Sequence, residues 1–352
     1  MAFIQFYYGK RITFGPADEN IPGLGGSEGS LLVLSRKLAR RGHRVEVYNA
    51  CWAPGEYDGV LWKGAWDIDS AETPDVRVSV RTADSVLEND APVQIFWMLD
   101  DRPDGVIRFR EFYPDSPIVL ASDTMSDVLH GSGIHNNINK IFLPVNERYM
   151  RERRLPSKGA YCLYSSMPNR GLKALLQMWP EVKRAVPEAR LVVTSGWELW
   201  GYTKEEARDK WLSVMGIVDV PPGLELCGVV SKEHLSRLQA GCRFSVIPSD
   251  FPEMFCLAAA EIERYGKPLI VSNYKALSER VVNNETGYLI DGNIYNDEAT
   301  KRGFIAAMIE LFRDGGKADR FGAEALKYGA RYSPSVVCEQ WEGLFDEPQG
   351  LF

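Results

Sequence analysis

This sequence is short of several things that whole classes of protein require. No run of about 18 or more apolar residues occurs, so no membrane-crossing helix is expected. The opening MAFIQFYYGKR has no basic stretch ahead of an apolar one and reads as a first β-strand rather than a secretory signal. Histidines number four, too few for a histidine-rich metal centre. The six cysteines, Cys51, Cys162, Cys227, Cys242, Cys256 and Cys338, are scattered without a C-x-x-C pair. That pattern suits reduced thiols and a cytoplasmic location, not a disulfide scaffold or a zinc site. Excess positive charge is also absent. The 41 Lys and Arg against 48 Asp and Glu leave a net charge of −7, which disfavours nucleic acid as a partner. A small phosphorylated ligand stays compatible, because it needs only a local site. Low-complexity tracts and short repeats are missing as well.

The 352 residues suffice for two domains with separate cores. Their alternation of short apolar strands with amphipathic helices is the pattern of an α/β protein. FIQFYY (3–8) reads as a buried strand. A Gly- and Pro-rich loop follows, then a helix over 28–41 with Leu31, Leu34, Leu38 and Ala39 at helical spacing, closed by Gly42. HRVEVYN (43–49), VRVSV (76–80), VQIFWML (93–99), PIVLAS (117–122) and KIFLPV (140–145) read as further strands, one per unit, which favours a parallel sheet. The charged stretch Arg151–Pro156 reads as a linker. A second series then begins, with strands at 159–166, 189–196, 224–230, 242–249, 268–272 and 286–290 and helices at 172–186, 255–266, 298–313 and 317–331. Two doubly wound domains, 1–148 and 149–333, are the expectation, with an amphipathic last segment over 334–352.

The most informative window is residues 247–292. A strand ends at Pro248-Ser249, a loop carries Glu253, and a helix is expected to begin near Phe255. The N–H groups around Met254, Phe255, Cys256 and Leu257 would be unpaired at that helix start and suit an anion or a sugar hydroxyl. Glu261 lies about two turns further on, so both carboxylates can address one ligand, each able to accept two hydrogen bonds from a diol.

This window resembles the retaining glycosyltransferases of family 4, whose Glu-x7-Glu signature is matched by Glu253 and Glu261. Gly266-Lys267-Pro268, Glu279 and Thr286-Gly287 fall where that family carries G-x-P, E and T-G. The resemblance implies a GT-B fold of two Rossmann-like domains facing across a cleft, with 334–352 packing back on the first. It also implies transfer of a sugar from a nucleotide-diphosphate sugar (UDP- or GDP-linked) to an acceptor hydroxyl, with retention of configuration. Glu253 would contact the transferred sugar and Glu261 the nucleotide ribose. Arg170-Gly171 takes the place of the family's usual Lys-Gly, so Arg170 would meet the donor diphosphate, with Lys173 beside it. The basic residue common a few positions earlier is replaced here by Tyr164, Ser165 and Ser166. Gly25, Gly26 and Ser27 in GLGGSEG resemble the first-domain glycine loop, where missing side chains admit a diphosphate. Gly196 and Gly228-Val229 fall where the backbone meets the nucleotide base.

The acceptor side departs from the pattern. Where the family presents a histidine, FWMLDDRPDG offers Leu99 or Asp100, and Asp100 is the candidate to position the acceptor hydroxyl. Asp67-Ile68-Asp69 is a D-x-D, the metal motif of the other large glycosyltransferase fold. It stands without the rest of that pattern, reads as a solvated loop, and no metal or other cofactor is expected. Arg36, Lys37, Arg40, Arg41 and Arg44 cluster late in the first helix and allow at most peripheral membrane contact. The acceptor, whether glycan, lipid or protein, is left open. Three other readings also stay open: a catalytically silent nucleotide-sugar-binding protein, an NAD-dependent oxidoreductase with Glu46 near the place of its ribose-binding acid, and a different reaction on the same fold such as nucleotide-sugar epimerisation.

Overall fold

A computed structural model describes residues 1–10, 13–20, 24–83, 91–150, 161–200, 202–215 and 221–345. The expected linker Arg151–Pro156 lies outside them. The chain divides into two compact units: Met1–Glu19 with Gly26–Val145 and Arg331–Phe352, and Asn20–Gly25 with Asn146–Ala330.

The first unit holds β1 (Phe3–Gly9), α1 (Gly26–Arg40), β2 (Arg44–Asn49), β3 (Gly55–Tyr57), β4 (Val60–Gly64), β5 (Val76–Val80), β6 (Val93–Trp97), α2 (Asp104–Phe112), β7 (Ile118–Leu120), α3 (Asp123–Gly131) and β8 (Ile138–Lys140). Its eight strands run in the order β3-β4-β2-β1-β5-β6-β7-β8. All pairings are parallel except β3 with β4. Helices cover both faces of such a sheet, so β1 is apolar along nearly its whole length, with Ile4, Phe6, Tyr7 and Tyr8 buried. The β3–β4 hairpin went unnoticed in the sequence, although Asp58-Gly59 is a strong hairpin signal. Both residues adopt positive φ, 53° and 82°. KIFLPV is strand only at its start. Pro144 has no N–H to give a ladder, and the Val145 N–H goes instead to the Tyr332 carbonyl at 2.9 Å.

The second unit holds β9 (Tyr161–Tyr164), α4 (Leu172–Ala185), β10 (Arg190–Val193), α5 (Lys204–Met215), β11 (Leu224–Leu226), α6 (Lys232–Gly241), β12 (Phe244–Ile247), α7 (Leu257–Arg264), β13 (Leu269–Ser272), β14 (Gly287–Ile290), α8 (Glu298–Arg313) and α9 (Gly315–Gly329). Its six strands are all parallel, in the order β11-β10-β9-β12-β13-β14. The last helix, α10 (Pro334–Glu342), belongs to the first unit. Ser333 caps it through the Val336 N–H and Pro334 opens it, where a missing N–H costs nothing. Trp341 is fully buried beside Phe6 and Trp97, with ring centroids 6.3 and 5.1 Å away. Arg41 grips Glu342 with two 2.7 Å bonds.

In each sheet the first strand is central and the chain order reverses beside it, between β1 and β5 and between β9 and β12. Such reversal points leave a crevice beyond the carboxyl ends of the strands, the usual ligand position in open α/β sheets.

Candidate functional site

At the second unit's reversal point, β9 gives way to a tight loop whose last residue, Gly171, caps α4 with φ 84°. A Cβ there would collide with the Pro248 carbonyl at the end of β12, so only glycine lets the two loops close on each other. That approach sets Arg170 beside Glu253, Nε to Oε1 at 2.8 Å, with the two side chains 13% and 14% exposed. The guanidinium also lies over the Phe251 ring, 3.2 Å from its centroid. Its Nη1 is buried without a hydrogen-bond partner among the described residues. Burial pushes the Glu253 carboxyl above the ordinary carboxylate range, and the charge and hydrogen bond of Arg170 oppose that rise. An arginine fixed at one end and carrying an unfilled buried donor at the other is arranged to take an anion.

The helix after Glu253 starts at Leu257, not near Phe255. Its N-cap, Cys256, is buried and holds φ 64°, a left-handed conformation that costs a non-glycine residue about 1–2 kcal/mol. Met254 and Phe255 therefore lie ahead of the helix together with Glu253. Glu261 is inside α7, buried, and accepts the Gln239 Nε2 donor at 2.8 Å. It lines a small recess with Asn146, Lys232 and Ser236. The two glutamates thus have separate partners. Other parts of the motif are architectural. Gly266 ends α7 with φ 64°, Thr286 receives the Val282 N–H, and a Cβ on Gly287 would collide with the Leu269 carbonyl.

Gly196 and Gly228 come together in one cavity of about 290 Å³ at the ends of β10 and β11, and a Val229 methyl lies against Gly196. Lys173 is half-buried in the first turn of α4. In the glycine loop, Gly23 lies outside the described residues and Gly25 and Gly26 are exposed. Because α1 begins at Gly26, Ser27 lies within its first turn.

The first unit's reversal point carries a network that the sequence reading missed. Tyr8, on β1, donates to Glu28 Oε1 at 2.5 Å. Arg81, just past β5, donates to the Tyr8 oxygen at 3.1 Å and pairs with Asp100 at 2.9 Å. Arg81 adopts φ 62°. Burial, then the Glu28 charge, pushes the Tyr8 hydroxyl far above its usual range, so it stays a donor. Asp100, the candidate to position an acceptor hydroxyl, has both carboxylate oxygens engaged. One of its oxygens accepts from Arg81 and the other accepts the Arg102 N–H at 3.1 Å. Glu28 stands where a G-x-G-x-x-G dinucleotide fingerprint starting at Gly23 would need its last glycine, and that acidic residue in a glycine loop was the available signal.

Three side readings change. Asp67-Ile68-Asp69 is not a loop but a 3-10 turn (Ala65–Ser70) anchored by buried Ile68, with Asp67 accepting the Gly64 N–H at 3.1 Å. The basic cluster is largely consumed by ion pairs. Arg36 binds Glu19 and Asp58, Arg40 reaches Asp58, Arg41 binds Glu342, and Arg44 binds Glu46 and Glu72. Glu46 is buried within β2, where Tyr48, Lys63 and Arg44 bond it. Burial pulls its carboxyl up, but those bonds outweigh burial and hold it below the usual range. It is not placed to bind a ribose.

The family model "Glycosyl transferases group 1" matches residues 146–328, more than half of the chain. The chain belongs to that family and is a glycosyltransferase. It is 23% identical over 326 residues to the D-inositol 3-phosphate glycosyltransferase of a Nocardioides species, covering 87% of this chain and 69% of that one. The fold is similar to that of Anabaena HepE, crystallised with UDP and glucose, at 13% identity and a TM-score of 0.70 over 97% of this chain and 99% of that one. It also resembles the sucrose-phosphate synthase of Thermosynechococcus elongatus, at 13% identity and TM-score 0.71 over 97% and 98%. The fold is accordingly GT-B, with two Rossmann-like units. Among the described residues no helix is long and apolar enough to cross a membrane.

Proposed function

We propose that this glycosyltransferase moves a sugar from a nucleoside-diphosphate sugar to an acceptor hydroxyl with retention of configuration, without a metal, in the manner of family 4. The observation that carries this reading is Arg170, clamped by Glu253 and Phe251 yet left with a buried, unfilled Nη1 donor. As the anomeric carbon becomes positive, the departing diphosphate gains charge, and a preorganised guanidinium meets it at no reorganisation cost. Glu253, held at a fixed distance from that arginine, orients the sugar hydroxyls. Glu261 and the donor-loop residues Met254 to Leu257 take the ribose and phosphates. Metal independence follows from giving the leaving-group charge to Arg170 and the backbone around Cys256. The nucleotide-sugar donor is supported by the UDP and glucose bound to HepE.

The test is a panel of nucleotide sugars in calorimetry, followed by transfer or donor-hydrolysis assays and determination of the product anomer. Arg170→Met is expected to lower turnover by about 10²–10³-fold, the effect of losing one oxyanion donor. Unchanged turnover in that variant overturns the assigned role. An inverted anomer overturns retention, and activity lost to EDTA and restored by Mg²⁺ or Mn²⁺ overturns metal independence. Donor binding without transfer or hydrolysis across a broad acceptor panel would favour a silent binder.

A further inference from the structure

The cavity at the ends of β10 and β11 holds Gly196 and Gly228, which the family resemblance sets against the nucleotide base, and its lining is specific. Val193, Trp211 and Leu226 give it apolar and aromatic walls suited to a flat ring. Glu198, Lys204 and Arg208 line it as well. Gly196 is what admits the acid, because a Cβ at 196 would collide with Glu198 Oε2 and with the Val229 methyl. Among the described residues the Glu198 carboxylate has no hydrogen-bond or ion-pair partner. The position is set by the sheet. Its order β11-β10-β9-β12 places the cavity between one and two strand spacings, about 5–10 Å, from the carboxyl end of β9, the strand whose following loop carries Arg170. That interval is of the order a nucleoside spans between its phosphate and its base.

Resting on the nucleotide-sugar reading, we propose that Glu198 selects the donor's base and selects guanine, making the donor a GDP-sugar. A carboxylate only accepts hydrogen bonds. Guanine offers it two adjacent donors, N1–H and the N2 amino group, for a bidentate, charge-assisted contact. Uracil offers a single N–H between two carbonyl oxygens that a carboxylate repels. Adenine and cytosine set a ring-nitrogen acceptor beside their amino group. Lys204 and Arg208 supply donors for the guanine carbonyl. The choice separates this chain from HepE, whose crystals hold UDP.

The experiment is calorimetric titration of the full chain with GDP, inosine diphosphate and UDP, alongside Glu198→Gln, with the unfolding midpoint as a fold control. The wild-type protein is expected to bind GDP about 10- to 100-fold more tightly than UDP, the range for hydrogen bonds to a charged group. Inosine diphosphate, lacking the N2 amino group, should fall between them. E198Q should lose most of the GDP preference while its UDP affinity changes little. UDP bound as tightly as GDP, or an unchanged GDP-to-UDP ratio in E198Q, overturns the base assignment and leaves the donor reading standing. Failure of folded protein to bind any of the three overturns the base assignment, and failure against the full nucleotide-sugar panel overturns the donor reading as well.

Discussion

Arg81–Asp100 in the first unit and Arg170–Glu253 in the second are both arginine–carboxylate pairs at the point where a parallel sheet reverses its strand order. The first pair is 30% and 28% exposed, and its carboxylate spends both oxygens on local donors. The second is about half as exposed, stacked on Phe251, and keeps an unfilled donor. The same topology thus yields a part-exposed, self-satisfied pair in one place and a dry, unfinished one in the other. Burial is what separates them. Where water is excluded, a missing partner is costly and an incoming anion is favoured accordingly.

That contrast can be broken or sharpened by substitution. The largest effect is expected from Gly171→Ala, which forces a left-handed alanine against the Pro248 carbonyl and drives Arg170 away from Glu253. A loss of about 2–5 kcal/mol should appear in urea unfolding, and an unchanged midpoint would show that the close approach is not required. Next is Arg170→Met, expected to cost about 3 kcal/mol near neutral pH because it strands a buried carboxylate. The pH dependence has a definite sign. Burial already holds the Glu253 carboxyl above its ordinary range, and removing its counter-charge raises it further. A carboxyl with a raised folded pKa favours the fold while protonated, and that contribution is lost as pH rises through the folded value. The variant's deficit should therefore shrink as pH falls from about 7 to about 5. A deficit that grows toward acid would contradict this account.

Smaller effects are expected in the first unit. Tyr8→Phe removes the donor to buried Glu28 and should cost about 1–2 kcal/mol by chemical denaturation. Asp100→Asn keeps the shape but loses the ion pair, and should cost under about 1 kcal/mol, with high salt erasing most of the difference. If Asp100→Asn destabilised the protein as much as Arg170→Met, burial would not be what distinguishes the two clusters.

Much of this molecule could be read before its structure. The βα alternation and the family signature around Glu253 follow from local pattern, because strand and helix periods are written in neighbouring residues. The Asp58-Gly59 hairpin was equally local and was overlooked. Tyr8, Glu28 and Arg81 were not legible: up to 73 positions separate them, and only strand order brings them together. Glu198 was hidden for the same reason, its meaning depending on the ends of β10 and β11 lying side by side.

By itself, then, the sequence determined two parallel-sheet units and the residue types at their strand ends, since apolar periodicity and turn chemistry are short-range. Only the tertiary structure decided which charges are spent and which are kept open. Arg44 and Arg170 are alike in a sequence, yet one is locked to the carboxylates of Glu46 and Glu72 and the other holds a buried, unfilled donor. The reason is physical: an ionic group's value depends on its neighbours and on the exclusion of water, and both are set by contacts across the chain.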